Sequence, residues 1–391
     1  MSVYLDYAAT SPLDPRVLAA MLPYLEQQFG NPSSLHGAGR QARAAIDVAR
    51  EQVLSLFKAA AAQVIFTASG TEANNLALKG LVREGDHLVV SAIEHPAILE
   101  TCLALERHGA RVTRVLPDSS GLVEPEALAA ACTSATRLVS VMAANNVVGT
   151  LQPLAALAQV AHEYGSLFHT DAVQACGKIP IDMEAHEIDL LSLSAHKFYG
   201  PKGVGALLVR KGIDLAPLVH GGGQEGGYRA GTENVAGIVG LGQAAALAAS
   251  EQSTDAARLV GLRDTLIDHV LRGIPGAYLL GHRFKRLPGH ACFGFAGQEG
   301  GAMRVLLDLD RLGFAISSGS ACSSRHMGEP SYVLMAMGYD AIRARGSLRI
   351  SLGRFTKTED IAALLDALPA VVGQLTPLLR RPTPSLQGVT S

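Results

Sequence analysis

Apolar positions fall into two alternating patterns between about residues 37 and 250. In the first pattern, Ile46, Ala49, Val53 and Phe57 recur at three- or four-residue intervals, which predicts an amphipathic helix. The second pattern consists of short strand-like apolar runs at 64–67, 87–92, 137–144, 166–172, 189–195 and 205–210. Helical segments such as 69–80, 124–132 and 153–165 lie between these runs. Strands that alternate with helices predict an α/β fold whose mainly parallel sheet is covered on both faces.

The pattern changes after Ser250, where a polar segment at 251–270 predicts a long connecting helix. Beyond it, strands are predicted at 291–295 and 349–352, and helices around 301–309 and 359–369. We therefore predict a large domain over 15–255 and a smaller domain that combines 1–14 with 256–391. The last residues, 380–391, are rich in proline and polar side chains, and this composition predicts disorder.

Composition narrows the class of protein. The chain has 391 residues, of which 48% are hydrophobic and 17% charged, as in a globular protein with a large buried core. Its net charge of −2 gives no reason to expect nucleic acid or an acidic membrane surface as a partner. The most apolar segment, 235–249, is interrupted by Gln243 and is short for a membrane span. The first residues do not have the pattern of a signal peptide, so we expect a cytoplasmic protein.

The five cysteines are scattered and odd in number. No CxxC pair and no His/Cys cluster has the spacing of a zinc site, so no metal is predicted. A disulfide framework is not expected either, and a reducing compartment is the default.

A lysine in SAHKFYGPKG (194–203) directly follows a strand-like run. The amine of Lys197 can form a Schiff base with an aldehyde if burial or a neighbouring positive charge leaves it partly deprotonated. The alternative is an ordinary surface lysine in a turn, and this stretch by itself favours that alternative.

Two other strand ends carry groups that suit a bound cofactor. Asp171 in FHTDAVQ (168–174) can pair with a protonated heterocyclic nitrogen, although a helix cap is the commoner role for such an aspartate. The turn SGTEANN (69–75) offers backbone N–H groups at a helix start that can hold a phosphate. It is neither a Walker loop nor a dinucleotide fingerprint, and an ordinary capped helix is the commoner explanation for it.

A histidine completes the set. His95 in IEHPA (93–97) can stack on an aromatic ring or transfer protons, or it can be merely structural. Each of the four features has an ordinary explanation singly, but all four lie at strand ends, where ligands collect in open α/β sheets. Together they predict one site with a phosphate cradle, a stacking histidine, a carboxylate for a ring nitrogen and a Schiff-base lysine.

The chain resembles the fold-type-I pyridoxal 5'-phosphate enzymes and, within them, the cysteine desulfurases of the NifS/IscS type. The resemblance runs from YLDYAAT (4–10) to SLGRFT (351–356) and includes HKFYGPKGVG, RAGTENV and SSGSACSS. The last motif is highly specific, because few other families with this cofactor place a cysteine there. The fold implied is a large domain with a mainly parallel seven-stranded sheet and a smaller α+β domain.

The resemblance also implies roles for individual residues. Lys197 would hold the cofactor, His95 would stack on its ring and transfer protons, and Cys322 would receive the sulfur. Further cofactor-binding residues would be Gly70, Thr71, Asn146, Asp171, Gln174, Ser194, His196 and Thr232. Asn31 and Arg349 would hold the substrate carboxylate, a task that suits the planar fork of arginine.

The implied reaction converts L-cysteine to L-alanine and leaves a persulfide on Cys322 for an acceptor such as an iron–sulfur scaffold. Thr232 would reach the phosphate site of a second subunit, which implies a homodimer. Selenocysteine lyase, another aminotransferase-like reaction and a non-catalytic scaffold are the alternatives. Two departures from the family stand out: Val147 replaces the usual glutamate, and the segment after the cysteine, 323–333, is about one residue longer.

Overall fold

The structure is a computed structural model, and it describes residues 3–319 and 329–374. Cys322 and the tail at 380–391 lie outside the described residues. The helices are α1 (Pro15–Glu26), α2 (Gly37–Leu56), α3 (Gly70–Leu81), α4 (Pro96–Arg107), α5 (Pro125–Ala131), α6 (Leu154–Glu163), α7 (Val235–Gly273), α8 (Ala302–Arg311), α9 (Tyr332–Ala336) and α10 (Thr358–Gly373). The strands are β1 (Val3–Tyr4), β2 (Ala62–Thr67), β3 (His87–Ser91), β4 (Arg111–Val115), β5 (Thr136–Ser140), β6 (Leu167–Asp171), β7 (Leu190–Ser194), β8 (Gly205–Arg210), β9 (Ala277–Leu279), β10 (His290–Phe295), β11 (Phe314–Ala315), β12 (Ser317–Ser318) and β13 (Leu348–Ser351).

Seven strands form the central sheet, in the order β2-β8-β7-β6-β5-β3-β4. All neighbours are parallel except β8, which is antiparallel to both β2 and β7. The prediction of a mainly parallel, seven-stranded sheet is therefore confirmed. The edge strand β4 was not predicted, because its sequence RVTRV places exposed or half-buried polar residues where a central strand has apolar ones.

Helices cover both faces of this sheet, as predicted. Against one face, α1, α2, α6 and α7 pack around a core that includes Ile46, Val53 and Leu241. Against the other face, α3 and α4 pack around Leu76, Ile98 and their neighbours. The amphipathic pattern in α2 is confirmed, because its predicted apolar positions are all buried.

One continuous helix, α7, links the two cores. The sequence suggested a polar connecting helix that starts near residue 251, but the helix begins at Val235 and takes in the whole preceding apolar segment. Ala244 and Ala248 pack into the core of the central sheet, whereas Leu259 and Leu266 pack into a second core. The proposed boundary between residues 255 and 256 falls inside this helix. Within residues 3–319 and 329–374, no helix has both the length and the apolar character that crossing a bilayer requires.

The second core lies under a four-stranded antiparallel sheet in the order β12-β13-β10-β9. The N-terminal segment belongs to this region, since β1 pairs with β11 and the Ser351 N–H donates to Leu5 O at 2.8 Å. The segment then continues toward the central sheet, where the Ser11 N–H donates to His196 O at 2.8 Å. Residues 3–11 thus connect the two sheets beside the end of β7.

Candidate active site

A cavity of about 240 Å³ lies beyond the carboxyl ends of β6 and β7 and beside the first turn of α3. Strand ends collect ligands there because connecting loops, rather than helices, border the sheet edge. The cavity is lined by Ser69, Gly70, Thr71, Asn74, His95, Met142, Asn146, Asp171, Val173, Gln174, Ser194, His196 and Lys197. Nine of the ten predicted cofactor-binding residues line this single cavity, and the exception is Thr232.

One end of the cavity is built to receive an anion. The N-cap residue of α3, Ser69, accepts a hydrogen bond from the Glu72 N–H at 3.1 Å, which orients the positive helix end. A Cβ atom on Gly70 would lie 2.7 Å from Val173 Cγ2, so any larger residue would have to displace the Val173 side chain. Burial and the charge of Lys197 lower the pKa of His196 to about 4, leaving a neutral ring beside the helix end. Helix N–H groups, hydroxyls and a neutral imidazole are suitable ligands for a phosphate.

A buried carboxylate marks a second part of the cavity. Asp171 is 4% exposed and accepts hydrogen bonds from Asn74 Nδ2 at 2.7 Å and from the Val173 N–H at 2.9 Å. Among residues 3–319 and 329–374, no lysine, arginine or histidine forms a salt bridge with it. A buried charge is costly without a counterion, so the site suits a ligand that brings a cationic group. The protonated ring nitrogen of pyridoxal 5'-phosphate meets that requirement.

The side chain of His95 has a defined orientation. Its Nδ1 accepts the Ala97 N–H at 3.1 Å at the start of α4, so the neutral ring carries its proton on Nε2. Burial has the largest effect on the pKa of His95 and lowers it, with the charge of Lys197 adding to the decrease. Asp171 acts in the opposite direction but does not reverse the shift. The residue therefore presents a neutral N–H donor near the cavity at physiological pH.

Lys197 ends the short 3₁₀ turn that follows β7. Its Nζ donates to Ala8 O at 2.7 Å and to Ala9 O at 2.8 Å. Gln174 Nε2 also donates to Ala8 O, at 2.8 Å. The N-terminal segment therefore supplies backbone acceptors to the site, a contribution that sequence reasoning missed because these groups carry no side-chain signature.

Arg349 lies on β13 and is only 2% exposed. Its Nη1 donates to Asn146 O and its Nη2 to Asp6 Oδ1, both at 2.9 Å. Its Nε is buried and has no hydrogen-bond partner among the described residues. Because Asn146 lines the cavity, the guanidinium lies directly behind the cavity wall with donor capacity still unused.

Comparison with known proteins agrees with this geometry. The family model for Aminotransferase class-V matches residues 3–364. The protein called Cysteine desulfurase IscS from Dictyoglomus turgidum is 48% identical over 377 residues, which cover 95% of this chain and 95% of that protein. The chain belongs to the cysteine desulfurases of the class-V aminotransferase family. This desulfurase is thus an enzyme of the sulfurtransferase class.

Solved structures of similar proteins support the same assignment. A structure described as a NifS-like protein matches with a TM-score of 0.88 and 36% identity, over 96% of this desulfurase and 100% of that chain. A structure described as SspA in complex with cysteine matches with a TM-score of 0.78 and 35% identity, over 91% of this chain and 100% of that one. The desulfurase therefore has the fold-type-I α/β architecture.

Two predicted residues lie away from the cavity of their own chain. Asn31 is exposed, and its Oδ1 accepts the Ser33 N–H at 2.9 Å. Thr232 is also exposed and lines a separate cavity beside Thr67 and Arg229. Their roles in this desulfurase remain predictions. Val147, the departure from the family pattern, is buried in an apolar cluster, which accounts for an apolar side chain at that position.

Proposed function

We propose that this desulfurase converts L-cysteine to L-alanine, with pyridoxal 5'-phosphate held by Lys197 and the sulfur received by Cys322. The proposal rests on one observation: the same cavity contains the Lys197 amine and the buried carboxylate of Asp171. Asp171 forms no salt bridge with a cationic side chain among the described residues. When bound, the cofactor would supply an electron sink for carbanion chemistry at the substrate.

The residues of the cavity suit distinct parts of this cofactor. The first turn of α3, with Thr71, Ser194 and His196, would hold the phosphate. Asp171 would pair with the ring nitrogen and keep it protonated. Gln174 would donate to the ring oxygen, and His95 would lie against the ring and move a proton through Nε2.

The substrate would be held and deprotonated by groups outside the cofactor. The unpartnered Nε of Arg349, together with a second N–H of a terminal nitrogen, suits the carboxylate of L-cysteine, because a guanidinium binds a carboxylate through two parallel hydrogen bonds. The Nζ of Lys197 would remove the proton from the α-carbon of the substrate. Asn31, which lies away from the cavity of its own chain, would be a second carboxylate ligand in the site of another subunit.

The sulfur transfer is balanced in atoms and electrons. The Cys322 sulfur attacks the substrate sulfur, an S–S bond forms, and the C–S bond breaks. The electron pair of the broken C–S bond stays on the β-carbon of the substrate. This carbon then takes a proton and becomes the methyl group of alanine. The enzyme thiol and L-cysteine thus give a persulfide and L-alanine, with no external oxidant or reductant.

The other cysteines support the choice of Cys322. Cys102, Cys132, Cys176 and Cys292 are free and buried. Burial raises the pKa of Cys102 to about 12, of Cys132 to about 11 and of Cys292 to about 12, and it raises the pKa of Cys176 as well. Since the thiolate is the nucleophile, none of these four suits the transfer.

We also propose a homodimer, a sulfur-accepting protein such as an iron–sulfur scaffold, and a cytoplasmic location. The exposed position of Thr232, away from its own cavity, supports a role in the site of a second subunit. Four unpaired cysteines support a reducing compartment.

Reduction with borohydride tests the cofactor linkage. Purified protein incubated with pyridoxal 5'-phosphate should turn yellow, and reduction followed by peptide mass spectrometry should place the adduct on Lys197. The variant K197A should yield no adduct and no alanine from L-cysteine, while K202A, in the same loop, should behave as the wild type. An adduct on another lysine, or alanine formed at the wild-type rate by K197A, would refute the proposal.

A further inference from the structure

A second lysine lies behind the cofactor-binding cavity. After β6 the chain makes one helical turn, in which the Cys176 N–H donates to Ala172 O at 2.8 Å. Gln174 and Lys178 are four residues apart along this turn, so their side chains lie on the same side. Lys178 Nζ donates to Gln174 Oε1 at 3.4 Å, and among the described residues it forms no salt bridge with a carboxylate.

The amide of Gln174 is thereby held at both ends. Its Nε2 donates to Ala8 O at 2.8 Å, and its Oε1 accepts from Lys178. An amide can usually flip, because its oxygen and nitrogen have the same shape. An ammonium group can only donate, so the charged form of Lys178, which prevails below about pH 7, requires the oxygen of Gln174 to face it. The NH₂ group is then directed to the opposite side, where one N–H donates to Ala8 O. Because Gln174 lines the cavity, we expect the second N–H to be the one that faces a bound ligand.

The surroundings make a charged lysine here costly. Burial and the charge of Lys197 lower the pKa of Lys178 to about 7, and Arg349 adds to the decrease. On its other side, Lys178 lines a small second cavity with Tyr7, Asp255 and His290. Cys176, in the same turn, acts on the pKa of Lys178 in the opposite direction. A cation with mainly cationic or neutral neighbours is unfavourable for folding. The presence of Lys178 here therefore suggests a role in the cofactor-binding cavity.

We propose that Lys178 is a positioning residue that fixes the orientation of the Gln174 amide, so that its NH₂ group faces the ring oxygen of the bound cofactor. This inference rests on the proposed function, since it requires that pyridoxal 5'-phosphate binds in this cavity. Lys178 acts only through Gln174 and contacts neither cofactor nor substrate.

A double-mutant cycle tests this dependence. The dissociation constant of pyridoxal 5'-phosphate is measured at pH 6, where Lys178 carries its charge, for the wild type, K178M, Q174A and the double variant. K178M should weaken binding about fivefold, the typical value for one lost hydrogen bond. In the Q174A background, K178M should change binding by less than about 1.5-fold, because the group it positions is gone.

Two further readouts separate positioning from a general structural role. K178R keeps a side chain that only donates, so it should bind the cofactor within about twofold of the wild type. The pH at which the visible absorption band of the bound cofactor titrates should differ between K178M and the wild type. It should be the same in Q174A and in the double variant. Thermal unfolding of each apoprotein checks folding, and Q174M replaces Q174A if the latter unfolds.

Several results would overturn the inference. Equal effects of K178M in both backgrounds would mean that Lys178 acts by its charge or by packing, and no effect in the wild-type background would mean that it does not act at all. In both cases a wild type that binds the cofactor and forms alanine leaves the proposed function intact. A wild type that takes up no cofactor overturns both.

Discussion

The carboxylate of Asp6 lies 2.9 Å from the guanidinium of Arg349, although 343 positions of sequence separate the two residues. Asp6 belongs to the N-terminal segment, while Arg349 lies on a strand of the second sheet. Nη1 of the same guanidinium donates to Asn146 O in the wall of the cavity. The ion pair therefore orients the arginine proposed to bind the substrate, and it leaves Nε for a ligand.

Replacing Asp6 with asparagine should weaken substrate binding more than it affects cofactor binding. The variant D6N leaves a nearly buried guanidinium without its carboxylate, which should lower the free energy of unfolding by about 1–3 kcal/mol. Loss of orientation should reduce kcat/KM for L-cysteine about tenfold, mainly through KM. Steady-state kinetics and urea unfolding measure both effects.

The control for D6N is D308N, which removes the carboxylate that pairs with two largely exposed side chains, Arg304 and Arg311. Exposed pairs contribute little, so D308N should change stability by less than about 0.5 kcal/mol. If D6N left both KM and stability at the wild-type values, the pair would have no orienting role.

The buried Glu94 should make stability depend on pH. Its side chain is fully buried, and its Oε1 accepts hydrogen bonds from Ser91 Oγ at 2.5 Å and from the Met142 N–H at 2.7 Å. Burial raises the pKa of Glu94 from 4.5 to about 8, so the folded state keeps a proton that the unfolded chain releases. The contribution of this group to stability is complete below pH 4.5 and is lost as the pH rises through about 8.

The variant E94Q stays neutral at every pH and keeps an oxygen acceptor for the same two donors. Between pH 5 and pH 9, the wild type should therefore lose on the order of 4 kcal/mol more stability than E94Q. Urea unfolding at several pH values measures this difference, and E126Q on the surface of α5 serves as the control. Parallel profiles for the wild type and E94Q would show that Glu94 is ionised in the folded state.

Gly205 provides a test of the turn that starts α3. A Cβ atom at this position would lie 2.6 Å from the Ser69 carbonyl carbon, 2.7 Å from Leu193 O and 2.9 Å from Gly70 N. All three are backbone atoms, so G205A should displace the turn that is proposed to hold the phosphate. We expect a loss of about 2–3 kcal/mol in stability and weaker binding of pyridoxal 5'-phosphate.

The matched control for G205A is G261A in α7, where a new Cβ atom would meet no other atom within 4 Å. This variant should increase stability by about 0.5–1 kcal/mol, because alanine favours a helix more than glycine does. Wild-type cofactor affinity in G205A would contradict the role assigned to this turn.

The proposed role of Cys322 as the residue that receives the sulfur can be tested by kinetics. C322S should bind pyridoxal 5'-phosphate with the wild-type absorption band, yet form alanine from L-cysteine at least about a hundredfold more slowly. C132S, which changes a buried thiol, should keep most of the activity. Turnover of L-cysteine by C322S at the wild-type rate would assign the persulfide to another group.

Part of the site was predictable because strand ends are visible in a sequence. Parallel strands bring their carboxyl ends to one edge of a sheet, so residues directly after a strand-like run lie close together in space. His95, Asp171 and Lys197 follow such runs, and all three line the cavity. The central sheet was predictable for a related reason, since its buried strands are continuous apolar runs. The edge strand β4 lacks that signal, and the full length of α7 was hidden because its apolar and polar halves pack against different cores.

The sequence by itself determined the family, the sheet and the groups that can bind the cofactor, because each depends on short local patterns. The tertiary structure decided how those groups are held: Asn74 against Asp171, Asp6 against Arg349, Ala8 O against Lys197, and Lys178 against Gln174. Three of these four contacts join distant parts of the chain. The fourth, between Lys178 and Gln174, is local, but it orients the Gln174 amide only together with the hydrogen bond from Gln174 to Ala8 O. Local patterns of polarity do not encode such pairings, because which polar groups meet depends on how distant segments of the chain pack together.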